Sequence, residues 1–356
     1  MTETSFVSDT SSPRIVFGAG SIEQVGHELE RLGCRRALVL CTPPQRPLAE
    51  HIASLLGGRA VGLCTRAVMH VPIDAAHAAI DDARRLDADC AVAIGGGSTT
   101  GLGKAIALES EMPILAIPTT YAGSEMTPIY GITEDGVKKT GRDPRVLPRT
   151  VIYDPMLTLG LPVGISVTSG INAIAHAAEG LYARDANPVM SLMAEEGIRA
   201  LARALPRIVS NPLDVAARAE ALYGAWLCGH VLGNVGMSLH HKLCHTLGGS
   251  FDLPHAETHT VVLPHAIAYN AASTPLAMQR IARALDSEDA AQGLFELARV
   301  NGAPTSLREL GMVEAQLDRA ADLAIANPYW NPRPVERQAV RELLQRAFDG
   351  VVPVDR

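Results

Sequence analysis

The chain has 356 residues, of which 47% are hydrophobic and 19% charged, a balance that excludes a disordered chain. With 31 Lys and Arg against 38 Asp and Glu the formal charge is −7, and no basic cluster interrupts it, which excludes nucleic acid or an anionic membrane surface as a partner. At about 150 residues per domain the length predicts two domains, placed at 1–160 and 161–356. The six cysteines (Cys34, Cys41, Cys64, Cys90, Cys228, Cys244) form no CxxC pair, and several lie inside apolar runs. They read as buried thiols of a reducing cytoplasm rather than a disulfide framework. The polar N-terminus has no signal-peptide pattern, and no apolar run approaches the ~18 residues of a membrane span, so a cytoplasmic protein without a membrane partner is expected.

In chain order, a helix at 21–33 precedes a strand at 35–41, and a helix at 49–57 precedes a strand at 60–65. The helix at 73–88 leads into the strand and glycines of 90–98, and the helix at 103–110 leads into the strand at 113–120. This alternation predicts an α/β, Rossmann-like domain with a mostly parallel sheet. The segment "KKTGRDPRVLPRTVIYDP" adds one or two strands, as a hairpin or an edge. From Ser166 onward the pattern is helical: 169–183, 189–210, 215–232, 236–249, 275–285, 290–302 and 335–350. An all-helical C-terminal domain follows.

Two loops stand at predicted strand ends. In "AIGGGSTTGLGKAIAL", Gly95, Gly96 and Gly97 allow close approach of a phosphate, and Ser98 or Thr99 starts a helix whose free N–H groups favour an anion. The plainer alternative is a tight turn without a ligand. In "IPTTYAGSEMTPIYGI", Thr119, Thr120 and Ser124 are candidates to bond phosphate, ribose or nicotinamide, since the carboxyl ends of parallel strands share one edge.

Five histidines lie between 240 and 259. His241 and His245 are one helical turn apart, Asn172 and His176 likewise, and His255 follows a Gly-Gly and Pro turn that folds back. That spacing suits a metal site between helices, or a catalytic imidazole cluster without metal. His27, His51, His77 and His259 read as ordinary surface or core histidines.

"FGAGS", "GGGST", "PTTYAGSE", "SGINAIAHAAE", "HHKLCHTLGG" and "LPHAETHTVVLPH" together resemble the iron-containing alcohol dehydrogenase family over nearly the whole chain. The resemblance implies a dehydroquinate synthase-like architecture, an NADH or NADPH cofactor and a homodimer. His176, His241 and His255 match the three histidine ligand positions of the metal-dependent members, but Asn172 stands where they carry Asp. Gly101 replaces the Asp of their glycine motif, Lys104 is retained, and Thr42 takes the place of the Asp that selects NAD.

These substitutions are similar to those of a branch regarded as working without metal, which reduces maleylacetate to 3-oxoadipate. The expectations that follow are a small dicarboxylate substrate, no metal, and His241, His245 and His255 as oxyanion donor and general acid. Asn172, His176 and Tyr121 are placed on the substrate, Tyr121 having a core role as its alternative. Lys138, Lys139 and Arg142 are candidates for the substrate carboxylates, or else a solvated charge run. Thr42, His70, Lys104 and the two loops are placed on the cofactor. The rival reading is a metal-dependent (Fe or Zn) alcohol or polyol dehydrogenase.

Overall fold

Apolar runs bounded by turn residues become the strands β1 (Arg14–Phe17), β2 (Ala37–Leu40), β3 (Ala60–Cys64), β4 (Cys90–Gly95), β5 (Ile114–Pro118), β6 (Ile129–Glu134), β7 (Val137–Arg142) and β8 (Thr150–Tyr153). The computed structural model describes residues 6–7, 9–134 and 137–353. Its chain divides into one unit spanning Ser11–Leu161 and one built on Pro162–Arg356.

In the first unit the sheet order is β1-β8-β5-β4-β2-β3, every neighbour parallel. Helices α1 (Val25–Arg31), α2 (Arg46–Leu56), α3 (Ile73–Arg85) and α4 (Gly97–Ser110) connect its strands. β2, β4 and β5 are buried at every residue, so they read as continuous apolar runs rather than alternating ones. β8 is not an edge: it lies between β1 and β5. The hairpin expected near it is β6 with β7, which pair antiparallel apart from the main sheet. The carboxyl ends of β2, β4 and β5 lie side by side, and Thr42, Gly95 and Thr119 follow from those ends.

The second unit is helical: α5 (Val163–Gly180), α6 (Pro188–Ser210), α7 (Val215–Asn234), α8 (Leu239–Phe251), α9 (His255–Asn270), α10 (Pro275–Ala284), α11 (Ala290–Val300), α12 (Leu317–Ala326) and α13 (Arg337–Asp349). Asn187 and Asp214 cap α6 and α7 through their side chains, and Pro188 occupies the first turn of α6. α5 is buried from Ser166 to Gly180, which its small and aliphatic residues permit. Glycines set the close crossing of α6 and α7: a Cβ on Gly224 would lie 2.8 Å from Leu201 Cγ and 3.0 Å from the Gly197 carbonyl oxygen. Backbone cannot yield as a side chain can, so Gly224→Ala is expected to lower the unfolding free energy by about 1–3 kcal/mol. Urea denaturation of the variant checks this, and an unchanged midpoint would contradict it.

Candidate active site

At the sheet's carboxyl edge, β4 runs into a glycine turn whose geometry demands glycine. Gly95 has φ +151°, and a Cβ there would lie 2.4 Å from Thr99 Oγ1 and 2.6 Å from Gln45 Oε1. A Cβ on Gly96 would meet Thr120 at 3.0 Å. Thr119 N–H donates to the Gly95 carbonyl, Gln45 Nε2 donates to Thr119 Oγ1 at 2.7 Å, and Thr42 Oγ1 donates to Gln45 Oε1 at 3.0 Å. One network thus ties together the ends of three neighbouring strands. No side chain caps the N-terminus of α4, and while the Thr99 and Thr100 N–H groups donate to the Gly96 carbonyl, those of the exposed Gly97 and half-buried Ser98 are placed to meet an anion.

Lys104 is fully buried, and its Nζ donates to the Ser124 carbonyl at 2.7 Å, Thr127 Oγ1 at 2.9 Å and the Ile129 carbonyl at 2.6 Å. Burial pushes its ammonium down to about 7, against the pull of Glu125, which itself accepts from Tyr153 Oη. Lys104 thus braces the hydroxyl-rich loop through these bonds. Tyr121 is also fully buried.

Gly101 faces Val71: a Cβ would lie 2.8 Å from Val71 Cγ2. His70 and Val71 both adopt left-handed backbone, φ +66° and +46°. They are held by Thr133, whose Oγ1 and N–H donate to the His70 and Val71 carbonyls. A β-branched residue in that region is strained, so the neighbouring strand holds the segment in place. Lys139 and Arg142 are exposed on β7, Lys139 paired with Glu134, while the Lys138 side chain lies outside the described residues.

In the helical unit the histidines converge. Asn172 and His176 project from α5, His240, His241 and His245 from α8, and His255 and His259 from α9. His255 opens a helix rather than sitting in a loop. Ring centroids are 5.1 Å apart for His176 and His241, 5.0 Å for His241 and His259, 4.8 Å for His240 and His259, and 4.4 Å for His255 and His259. His259, expected to be ordinary, is thus a hub of the cluster. Its signal was present as the i,i+4 pair in "HAETH", on the same spacing as His241 and His245.

Asn172, His176, His240, His241 and His259 are buried, whereas His245 and His255 are exposed. Burial holds the imidazoles of His176, His241 and His259 well below the ordinary value, neighbouring imidazoles acting in the same direction, and that of His240 is lowered to about 4. Asn172 Oδ1, His176 Nδ1, His241 Nε2 and both His259 nitrogens have no hydrogen-bond partner among the described residues. His245 Nδ1 lies 3.0 Å from Tyr329 Oη.

A second residue missed in the sequence is Glu179, three positions after His176. Fully buried, it accepts from Ser238 N at 2.8 Å, His240 N at 2.7 Å, His241 N at 3.4 Å and His241 Nδ1 at 2.7 Å.

These neutral imidazoles link stability to pH. The unfolded chain begins to take up protons near the ordinary imidazole value of 6.5, while His240 and His265 resist until about 4. The unfolded state then holds more protons between those values, so stability falls as pH drops from 6.5 toward 4. The loss at pH 5 is on the order of 2 kcal/mol for each such group. Urea midpoints at pH 7, 6 and 5 measure it, and a flat series would contradict buried neutral rings.

A parallel main sheet ending in a glycine turn, joined in sequence to a helical unit that gathers histidines, is the architecture of a class of oxidoreductases. The chain belongs to the iron-containing alcohol dehydrogenase family: the iron-containing alcohol dehydrogenase model matches residues 12–155, and the model of the family's C-terminal region matches 166–348. A maleylacetate reductase of Burkholderia cepacia is 64% identical over 348 residues, covering 98% of this chain and 99% of that protein. The crystal structure of maleylacetate reductase from Agrobacterium tumefaciens is 58% identical with a TM-score of 0.95, covering 98% of this chain and 99% of that one. The crystal structure of a 1,3-propanediol oxidoreductase is 27% identical with a TM-score of 0.91, covering 96% and 100%.

The family's description implies iron, and the donor chemistry here fits iron poorly. Non-haem iron(II) sites pair histidines with a carboxylate. Position 172 offers a neutral amide, and the neighbouring carboxylate, Glu179, already accepts four N–H groups. Nitrogens of His240, His241 and His259 lie within 4.8 Å of one another, an all-nitrogen set closer to zinc's preferences.

Proposed function

We propose that this oxidoreductase reduces maleylacetate to 3-oxoadipate with NADH or NADPH and without a metal. The observation that carries the reading is the 64% identity to a maleylacetate reductase across 98% of the chain. The neutral Asn172 supports the metal-free part. In the alkene conjugated to the substrate ketone, hydride from the nicotinamide adds to the carbon β to the ketone. The π electrons move onto the ketone oxygen as an enolate, and a proton delivered to the α-carbon completes the reduction.

The glycine turn of 95–97, with Ser98 and the α4 N–H groups, takes the pyrophosphate, while Thr42, Thr119, Thr120, Ser124 and His70 surround the rest of the dinucleotide. Thr42 carries no charge to repel a 2′-phosphate, so both cofactors are expected to serve. A charged imidazolium or neutral N–H donor stabilises the enolate, and the exposed His245 and His255 are assigned that task and the proton delivery. Asn172 and His176 contact the substrate, and Lys139 and Arg142 are assigned to its carboxylates. A homodimer working in the cytoplasm accompanies the reading.

The test is direct. Purified protein mixed with maleylacetate and NADH, then NADPH, is followed by loss of reduced-nicotinamide absorbance. Oxidation of short alcohols in place of this reduction would favour the rival dehydrogenase reading.

A further inference from the structure

The N-terminus of α8 leaves backbone N–H groups that need acceptors. Its N-cap residue Ser238 supplies none: the side chain makes no capping bond, and Ser238 Oγ has no partner among the described residues. Glu179 performs that capping from α5, Oε1 accepting from His240 N and Oε2 from Ser238 N and His241 N. Burial raises the Glu179 carboxyl, and the three backbone donors with the positive end of the helix dipole work against that shift, favouring the ionised carboxylate and fixing its orientation.

Its remaining contact is with a side chain. His241 Nδ1 lies 2.7 Å from Oε2, and an ionised carboxylate has only lone pairs to offer. We infer that Glu179 is a positioning residue that sets the tautomer of His241: Nδ1 carries the proton, and Nε2 presents a bare lone pair to the interior of the cluster. That nitrogen is buried and has no hydrogen-bond partner among the described residues, which costs a bare lone pair less than it would cost an N–H donor. His240 is fixed the opposite way, since its Nε2 lies 3.0 Å from the His259 carbonyl oxygen and must donate to it. The two consecutive imidazoles therefore turn different edges to their surroundings.

The consequence rests on the proposed reduction. A neutral His241 with a bare Nε2 accepts a hydrogen bond and does not donate one to an enolate, so the donor role falls to His245 or His255. His241 instead orients a donor that enters the cluster, such as a water.

Nitrogen NMR of protein labelled with ring-15N histidine tests the assignment, because protonated and bare ring nitrogens resonate far apart. The His241 signals are identified by their loss in His241→Gln. The expected result in the unaltered protein is a protonated Nδ1 and a bare Nε2 at position 241. Glu179→Gln turns an amide N–H2 toward these donors. It should shift His241 toward the other tautomer and lower kcat on maleylacetate about 10–100-fold with the KM for NADH unchanged, and Glu179→Asp should recover part of the loss. A protonated Nε2 in the unaltered protein overturns the inference, whether or not any variant folds. So does a Glu179→Gln variant that keeps the original tautomer. Because the spectrum needs no substrate, the expected tautomer in a protein inactive on maleylacetate would refute the proposed reaction and leave the positioning role standing.

Discussion

His245→Ala lowers kcat on maleylacetate by about two to three orders of magnitude, equivalent to ~3–4 kcal/mol of transition-state stabilisation, while the KM for NADH stays within about twofold. The ring is exposed on α8, so its removal leaves no cavity, and the thermal midpoint should move by no more than a few degrees. That separation is what distinguishes it from its neighbours. Substituting His241 would remove a partner of the buried Glu179, and substituting His259 would open a cavity in the cluster, so either would mix a folding defect into the kinetics. His255→Ala is the matching substitution on α9. If both variants retain full turnover, the proton-delivery role assigned to these two exposed imidazoles is lost.

Exhaustive dialysis against EDTA leaves the rate of maleylacetate reduction unchanged. A loss restored only by iron or zinc would overturn the metal-free reading. The converse experiment is Asn172→Asp. It buries an anion beside neutral imidazoles, which raises their affinity for protons and costs several kcal/mol of stability unless something positive joins it. The variant should have a lowered thermal midpoint that rises again with added Zn2+, whereas the unaltered protein should respond little. A variant indifferent to zinc would show that a carboxylate at 172 is insufficient to build a cation site in this cluster.

Much of the α/β unit could be read from the chain because each strand between β2 and β5 is an apolar run closed by a helix signal. β1 escaped notice: it is four residues long and begins with Arg14, whose charge is matched only after folding by Glu28. β8 was placed at an edge because sequence order says nothing of its insertion between β1 and β5. In the helical unit α9 was seen as a string of motifs, since Pro264 interrupts the helical pattern that surrounds it.

The candidate site divides in the same way. His241, His245 and the pair Asn172/His176 announce themselves by spacing within one helix. The importance of His259 and Glu179 arises between helices, where α5, α8 and α9 meet, and local pattern does not report that. Lys104 meets the same limit: its place in the glycine motif is local, whereas its buried bonds to the 124–129 loop arise only in the fold.

The strained pair His70–Val71 also limits what position 101 can carry. The Val71 isopropyl takes the space above Gly101, and Thr133 holds the Val71 backbone from the adjacent hairpin. A side chain introduced at 101 therefore needs Val71 to turn or to be shortened, and a double substitution that trims Val71 should tolerate an added carboxylate better than Gly101→Asp alone.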